Sequence, residues 1–280
     1  MEKYELVPGQ LLYEGAITAA NLRSPHDCDR EDLLRAHDQE YLDKLDNNLL
    51  SPREQRVIGF PQTPQMIRRE RMIAQGTIDC CKAALSHGVA LNVAGGTHHA
   101  FRDHGEGFCI LNDFAVASLH LLAQKLASRI VIIDLDVHQG NGTASIMSGN
   151  QSVFTFSMHG QHNYPFKKTI SDLDIGLTDG TGDETYLQIL ETELTGVLDR
   201  YKPDFACFVA GVDVLKTDRF GKLGLTMEGC ARRDRMVMEA LFSRDVPCAI
   251  SMGGGYSPDI RTIVTAHVNT FKTAIDIYVN

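Results

Sequence analysis

The sequence predicts an α/β fold in which one mainly parallel sheet lies between two layers of helices, a three-layer α/β/α arrangement. Short apolar runs of strand length alternate along the chain with longer amphipathic stretches. The apolar runs are rich in β-branched residues and lack a polar residue at every second position, which is typical of strands buried on both faces. No Pro/Ser-rich linker or internal repeat divides the chain, so residues 1–280 are predicted to form a single domain.

The same alternation places the individual strands and helices. The strands are predicted at 90–93, 130–134, 153–157, 205–210 and 247–251. The helices are predicted near 31–46, 64–87, 112–127, 183–201, 227–244 and 258–276. The helix near 183 opens with Thr181-Gly182-Asp183-Glu184, a polar cap with acid in the first turn. Residues 47–65 are predicted to form a long surface loop.

Composition and charge exclude several classes of protein. Lys and Arg number 27 against 36 Asp and Glu, and the net charge of −9 argues against a nucleic-acid partner. No apolar run reaches the ~18 residues of a membrane helix, so no membrane partner is expected. The polar start of the sequence does not resemble a secretory leader, and the seven cysteines form no Cys-x-x-Cys pair. We therefore expect a soluble, cytoplasmic protein whose thiols are reduced.

Polar and glycine-rich clusters follow the predicted strands, each just past the carboxyl end of a strand. They are Gly95-Gly96-Thr97-His98-His99, Asp134-Leu135-Asp136-Val137-His138, Ser157-Met158-His159, Asp213 and Gly253-Gly254-Gly255-Tyr256. In an open parallel sheet, ligands bind at the edge formed by these carboxyl ends. The sequence therefore predicts a functional site along that edge.

Three of these residues form a candidate metal site. Asp136 and His138 are two residues apart on an extended segment, so their side chains project to the same side. Asp213, from another strand end, would complete a set of two carboxylates and one imidazole. Three protein ligands with open coordination positions are typical of a catalytic ion. The donors suit Zn²⁺, with Fe²⁺ as an alternative, whereas an Asp-x-His turn that only satisfies loop amides would need no metal.

His98, His99 and Tyr256 are candidates for the remaining chemistry. Neighbouring side chains on an extended chain point to opposite sides, so two adjacent histidines are not both expected in a packed core. They could hold and deprotonate a metal-bound water, each with a partner on its other ring nitrogen. Tyr256 follows three glycines that let the backbone approach a ligand, and its phenol could donate to an oxyanion. Packing at a helix start is the alternative for Tyr256.

Together these motifs resemble the zinc-dependent histone deacetylase family. The matching segments, in the same order as in that family, are Gly95-Gly96-Thr97-His98-His99-Ala100, Gly107-Phe108-Cys109, Asn112-Asp113, Asp134-x-Asp136-x-His138-x-Gly140, Gly211-x-Asp213 and Gly253-Gly254-Gly255-Tyr256. Asn163-Tyr164-Pro165 and Asp218-Arg219-x-Gly221-x-Leu223 resemble the class IV-like branch. The resemblance implies an arginase/deacetylase-like fold and hydrolysis of an N-acyl-lysine amide to an acid and a free amine.

The resemblance also implies a role for each matched residue. By similarity, the zinc ligands are Asp136, His138 and Asp213. The implied catalytic residues are His98, His99, Tyr256, Asp134 and Asn141. His99 is the expected general base, and Asp134 the carboxylate partner of His98. Most of the family has a second Asp beside the second histidine, and Asn141 in its place would raise the basicity of His99 less.

Substrate contacts and a second ion are implied in the same way. The substrate-binding residues are expected to be Gly107, Phe108, Tyr164 and Gly254. The rings of Phe108 and Tyr164 would enclose the aliphatic stem of an acylated lysine in a protein or peptide. A potassium ion is expected near Asp134 and Ser157.

The sequence leaves three alternatives to this function. The same residues would deacetylate an acetylated polyamine or another small acylated amine if an acid gated the pocket. A catalytically silent acyl-lysine binding module would keep the fold but lose a ligand or Tyr256, and neither is lost. An arginase-like ureohydrolase needs further carboxylates for a second metal, where this chain has Gly140 and Leu215.

Overall fold

The protein contains one sheet in which every strand runs parallel to its neighbours. The structure, a computed structural model, describes residues 2–279. The strands are β1 (Val89–Asn92), β2 (Ile130–Asp134), β3 (Val153–Gly160), β4 (Leu173–Leu177), β5 (Phe205–Val209) and β6 (Cys248–Ser251). Their order across the sheet is β1-β6-β5-β2-β3-β4, and each adjacent pair is parallel. All carboxyl ends therefore lie at one edge.

Ten α-helices cover the sheet within the described residues. They are α1 (Lys3–Tyr13), α2 (Arg30–Ala36), α3 (Gln39–Asp46), α4 (Pro52–Ile58), α5 (Pro64–His87), α6 (Asp113–Ala123), α7 (Asn141–Met147), α8 (Asp183–Tyr201), α9 (Met227–Phe242) and α10 (Ile260–Tyr278). Between residues 2 and 279, no helix combines the length and the apolar character that crossing a membrane requires.

Two hydrophobic cores, one on each face of the sheet, confirm the three-layer prediction. Along β2, Val131 and Ile133 point into a core that α8, α9 and α10 cover. Ile130 and Ile132 point into the opposite core, which α2, α3, α5 and α6 cover. This alternation follows from the two-residue period of a strand, and it explains why the apolar run at 130–133 has no polar face.

Three elements, β4, α7 and α1, lie where the sequence predicted neither a helix, a strand nor a loop. β4 is an edge strand whose side chains alternate between half-buried and exposed positions before Leu177. Its Leu-Asp-Ile-Gly-Leu sequence lacks the continuous apolar run of the central strands. α7 has seven residues and follows the Asp136–His138 segment almost at once. α1 contains Pro8, and it packs through Val7 and Leu11 against α10.

Two predictions were wrong in detail. The helix predicted at 31–46 is interrupted, because His37 and Asp38 have extended backbone between α2 and α3. The loop predicted at 47–65 contains α4, which begins with a capping box in which Ser51 and Glu54 each accept a hydrogen bond from the other's backbone N–H. The remaining predicted helices and strands are confirmed to within a few residues at each end.

The extended backbone at His37 lets its ring contact the loop that follows the histidine pair. The buried His37 ring lies with Nδ1 2.9 Å from the carbonyl oxygen of Phe101, and its Nε2 accepts from the N–H of Asn112 at 3.0 Å. The Asn112 side chain then donates to the carbonyl oxygens of Ala100 and His98. His37 therefore supports the loop that carries the histidine pair. Burial lowers the pKa of His37 to about 4.

We expect His37 to make folding pH-dependent. Its folded pKa lies below the 6.5 of an ordinary histidine. Its contribution to the free energy of unfolding is therefore present above pH 6.5 and is lost as the pH falls towards 4. His37→Gln keeps a donor and an acceptor but cannot titrate. In denaturant unfolding, the loss of stability from pH 7 to pH 5 should be smaller in the variant by about 1–2 kcal/mol. Equal losses in both proteins would refute this role.

Candidate active site

The three predicted metal ligands converge at the carboxyl edge of the two central strands. One ligand atom from each of Asp136, His138 and Asp213 lies within 4.8 Å of the others. His138 Nδ1 is 3.0 Å from Asp136 Oδ1 and 3.2 Å from Asp213 Oδ2. Because β2 and β5 pair in parallel up to Asp134 and Val209, the segments that follow leave the sheet side by side. The sheet register thus brings together residues more than 70 positions apart in sequence.

Backbone N–H groups hold the two carboxylates in place. Asp136 Oδ2 accepts from the N–H of Gly254 at 2.7 Å, and Asp213 Oδ1 accepts from that of Val137 at 2.9 Å. A Cβ atom at position 254 would collide with both carboxylates, so Gly254 is required for this approach. Gly254 was predicted to bind substrate. In the structure it contacts the carboxylates of Asp136 and Asp213, and its role towards substrate stays a prediction.

The charges of this group favour a bound cation. Asp136 and Asp213 are both buried. Burial and the neighbouring Asp136 raise the pKa of Asp213 to about 6. Burial lowers the pKa of His138, but the two carboxylates outweigh it and raise the value to about 10. Among the described residues, Asp213 Oδ2 has no hydrogen-bond partner, because His138 Nδ1 lies outside hydrogen-bond geometry. This donor set fits a divalent metal, whose charge would compensate both carboxylates.

The two adjacent histidines have different partners and opposite charge preferences. His98 Nδ1 is 2.6 Å from Asp134 Oδ2, and His99 Nδ1 is 2.7 Å from Asn141 Oδ1. Burial opposes protonation of His98, but Asp134 and Asp136 raise its pKa to about 9. Burial, together with His98 and His138, holds the pKa of His99 well below the usual range. His99 is therefore the neutral histidine, available to accept a proton.

Tyr256 completes the polar lining of the cavity. Its N–H donates to Asp218 Oδ2 at 2.6 Å, which fixes the start of the segment beyond the three glycines. Burial and the carboxylates of Asp213 and Asp136 raise the pKa of the phenol well above its usual value. The Tyr256 hydroxyl therefore keeps its proton at neutral pH and can donate a hydrogen bond.

These side chains surround a cavity of about 410 Å³. Its lining includes His98, His99, Gly107, Phe108, His138 and Tyr256. Gly107 lies between His99 and Tyr164, and a Cβ atom there would come within 2.7 Å of the His99 ring and 3.1 Å of the Tyr164 ring. The Tyr164 ring meets His99 edge-on at 5.0 Å between centroids, and Phe108 lies at the outer end, 43% exposed.

The expected potassium site stays a prediction. The structure places Asp134 beside Ser157, because these residues are direct neighbours in the β2–β3 register.

Three further residues near the cavity had no assigned role in the sequence. Lys3 is buried, its Nζ donates to the carbonyl oxygen of Gly253 at 2.9 Å, and burial lowers its pKa to about 8. Glu106 accepts from the side chain of Asn141. Arg219 lines the cavity and is exposed. Lys3 was missed with its helix, and the motif Gly105-Glu106-Gly107 gives no sign that Glu106 reaches Asn141.

A candidate divalent-metal site beside two histidines at the carboxyl edge of a parallel sheet is consistent with a metal-dependent deacetylase. Residues 1–271 match the histone deacetylase domain, and the chain belongs to that family.

Relatives support the assignment over almost the whole chain. An uncharacterized protein of Picosynechococcus sp. is 43% identical over 278 residues, which cover 99% of this chain and 93% of the relative. Histone deacetylase 2 of Arabidopsis thaliana is 28% identical over 271 residues, covering 94% of this chain and 70% of the plant protein.

Solved structures share the fold. An HDAC homologue from Aquifex aeolicus superposes with a TM-score of 0.84 at 24% identity, covering 96% of this chain and 77% of that one. An acetylpolyamine aminohydrolase from Burkholderia pseudomallei superposes with a TM-score of 0.82 at 19% identity, covering 99% and 90% of the two chains. These likenesses confirm the arginase/deacetylase-like fold.

The ligand assignment predicts which substitutions remove the metal. Asp213→Ala deletes one of the two charges that face His138, so the purified variant should lose bound divalent metal in an elemental assay. Tyr256→Phe is the matched control, because it changes the same cavity without touching a ligand, and it should keep the wild-type metal content. Full metal occupancy in folded Asp213→Ala protein would overturn the assignment.

Proposed function

We propose that the protein is a zinc-dependent N-acyl-lysine deacetylase, a hydrolase that acts on the linear amide at the ε-amine. The observation that carries this proposal is the close approach of Asp136, His138 and Asp213 beside a cavity that a neutral histidine and a protonated phenol line. A cation site, a base and an oxyanion donor are the parts that amide hydrolysis by an activated water requires.

The surroundings of His99, Tyr256 and His98 suit each of them to one role in amide hydrolysis. A bound zinc ion would supply a Lewis acid for the acyl carbonyl and would lower the pKa of the attacking water. His99 accepts the proton of that water and later returns it to the leaving amine. Tyr256 donates to the carbonyl oxygen as negative charge develops there. His98, paired with Asp134, keeps a positive charge beside the reacting group.

The donor set supports zinc as the native ion. Two carboxylates and one imidazole leave open coordination positions, as catalytic zinc sites do. The same donors also hold Fe²⁺, so the ion is identified by elemental analysis of protein purified without added metal.

The mouth of the cavity supports acyl-lysine over an acetylpolyamine. Phe60, Phe108 and Phe220 line the outer cavity, and the last two are 43% and 47% exposed. The exposed charged side chain among them is the cation Arg219. Of the described residues that line the cavity, the acids are Asp136 and Glu70, and both are buried. An aromatic rim with a cation suits a peptide and repels the free amines of a polyamine.

Removing the phenol should slow the chemical step. We expect Tyr256→Phe to lower kcat on an acetyl-lysine peptide by about 10²–10³-fold, the usual cost of one oxyanion donor. KM should change little, since the hydroxyl acts mainly as charge develops. Steady-state kinetics on zinc-loaded protein measures both constants. An unchanged kcat would contradict the role of Tyr256.

Substrate class can be tested by reversing the charge at the mouth. The wild-type protein should cleave acetyl-lysine peptides with a higher kcat/KM than N-acetylputrescine or acetylspermidine. Arg219→Glu should shift this ratio about 10-fold or more towards the polyamines, because it replaces repulsion with attraction. Arg235→Glu on α9 makes the same change in net charge away from the cavity, and it should leave the ratio unchanged.

Either of two results would contradict this substrate class. A wild-type preference for acetylpolyamines would favour the small-amine alternative. Failure of the zinc-loaded protein to release acid from every acylated amine would favour the binding module.

A further inference from the structure

Glu106 is linked to the histidine pair through a single side chain. Its Oε1 accepts a hydrogen bond from Asn141 Nδ2 at 2.5 Å. At the other end of the same amide, Asn141 Oδ1 lies 2.7 Å from His99 Nδ1. Asn141 and His99 are both buried, and the side chain of Glu106 is 17% exposed. Glu106, Asn141 and His99 thus form one hydrogen-bonded chain of side chains.

The carboxylate of Glu106 determines which group donates and which accepts in each of these hydrogen bonds. A carboxylate offers acceptors, so the amide of Asn141 must turn its NH₂ group towards Glu106 and its oxygen towards His99. His99 must then carry its proton on Nδ1 in order to donate to that oxygen. Its Nε2 is left with a free lone pair, which is the form of a neutral histidine that can act as a base. An asparagine without Glu106 could present either end.

We propose that Glu106 is a positioning residue that sets the tautomer of His99 through Asn141. This inference rests on the proposed function, in which His99 is the general base. A partner that cannot ionise orients a histidine but stabilises its charged form less than a carboxylate does. The charge of Glu106, one hydrogen bond further away, polarises the amide and so supports the imidazolium that forms when His99 accepts a proton.

The backbone beside Glu106 is anchored independently of its side chain. The N–H groups of Gly107 and Phe108 donate to the carbonyl oxygens of Val57 and Ile58, at 3.2 and 2.8 Å. Cys109 N–H donates to the carbonyl oxygen of Glu106 at 2.9 Å. Replacing the Glu106 carboxylate should therefore leave the loop in place, and its effect can be separated from loss of folding.

Two other groups lie near the carboxylate of Glu106. His104 Nε2 is 4.0 Å from its Oε2. Burial and, after it, the neighbouring Glu106 raise the pKa of the Tyr164 phenol. Neither group replaces Asn141 as the partner of Oε1, so the link to His99 depends on this one carboxylate oxygen.

The direct test reads the tautomer of His99 in the zinc-loaded protein. Long-range ¹H–¹⁵N correlation spectra distinguish a proton on Nδ1 from one on Nε2. The wild type should show the Nδ1–H form. Glu106→Gln, whose amide can donate as well as accept, should show a mixture, and kcat should fall about 10–100-fold with little change in KM. Glu184→Gln, the same chemical change on exposed α8, should alter neither quantity.

A pair of substitutions separates a positioning role from a merely structural one. Asn141→Asp should lose activity, because it sets a second carboxylate against Glu106 within hydrogen-bond distance. In the double variant E106Q/N141D, the new amide donates to the new carboxylate and restores a partner for His99. The double variant should recover about 10-fold or more of the kcat lost in Asn141→Asp. Additive losses would contradict the proposal.

The same measurements distinguish a role of Glu106 from deacetylase activity. If Glu106→Gln keeps the Nδ1–H form and the wild-type kcat, Glu106 has no positioning role although the enzyme is active. If the wild type cleaves no acylated amine, the deacetylase proposal fails, and the spectra alone then decide whether Glu106 sets the tautomer.

Discussion

The structure depends on one electrostatic constraint, the placement of Asp136 and Asp213 at a single buried point. Two carboxylates out of water repel each other and lose hydration, a cost that must be offset locally. The protein offsets part of it with N–H groups from Gly254, Val137 and His138 itself. Asp213 Oδ2 has no hydrogen-bond partner among the described residues, and it lies 3.2 Å from His138 Nδ1. A divalent cation would compensate both carboxylates, and the donors fit it.

The hydrogen-bond partners of the two adjacent histidines give them different proton affinities. His98 and His99 are adjacent in sequence, with ring centroids 4.1 Å apart, yet one has a carboxylate partner and the other an amide. The result is a charged histidine beside a neutral one. A catalytic pair needs this difference, because two groups with equal proton affinity cannot serve as cation and base at the same pH. Through Asn141, Glu106 would add a more distant carboxylate to the partners of His99.

The central sheet and the position of the candidate site were predictable, because polar and glycine-rich residues follow the apolar strand sequences directly. The central strands are continuous apolar runs, and the polar residues that follow them must meet at one edge of a parallel sheet. Asp136, His138 and Asp213 were predicted in this way, whereas Asp134 and Asn141 were expected as histidine partners only from the family resemblance. β4 and α1 were not, because an edge strand and a surface helix with Pro8 carry weak patterns. Glu106 could not be assigned, since its contact with Asn141 depends on how the loop around Glu106 meets the first residue of α7.

The most direct measurement is anomalous diffraction at the zinc absorption edge from crystals grown with equimolar zinc. We expect one strong anomalous peak between His138 Nδ1 and the carboxylates of Asp136 and Asp213, absent from data collected below the edge. A map with no peak at that point, or with the triad side chains turned away from one another, would contradict a metal-dependent hydrolase.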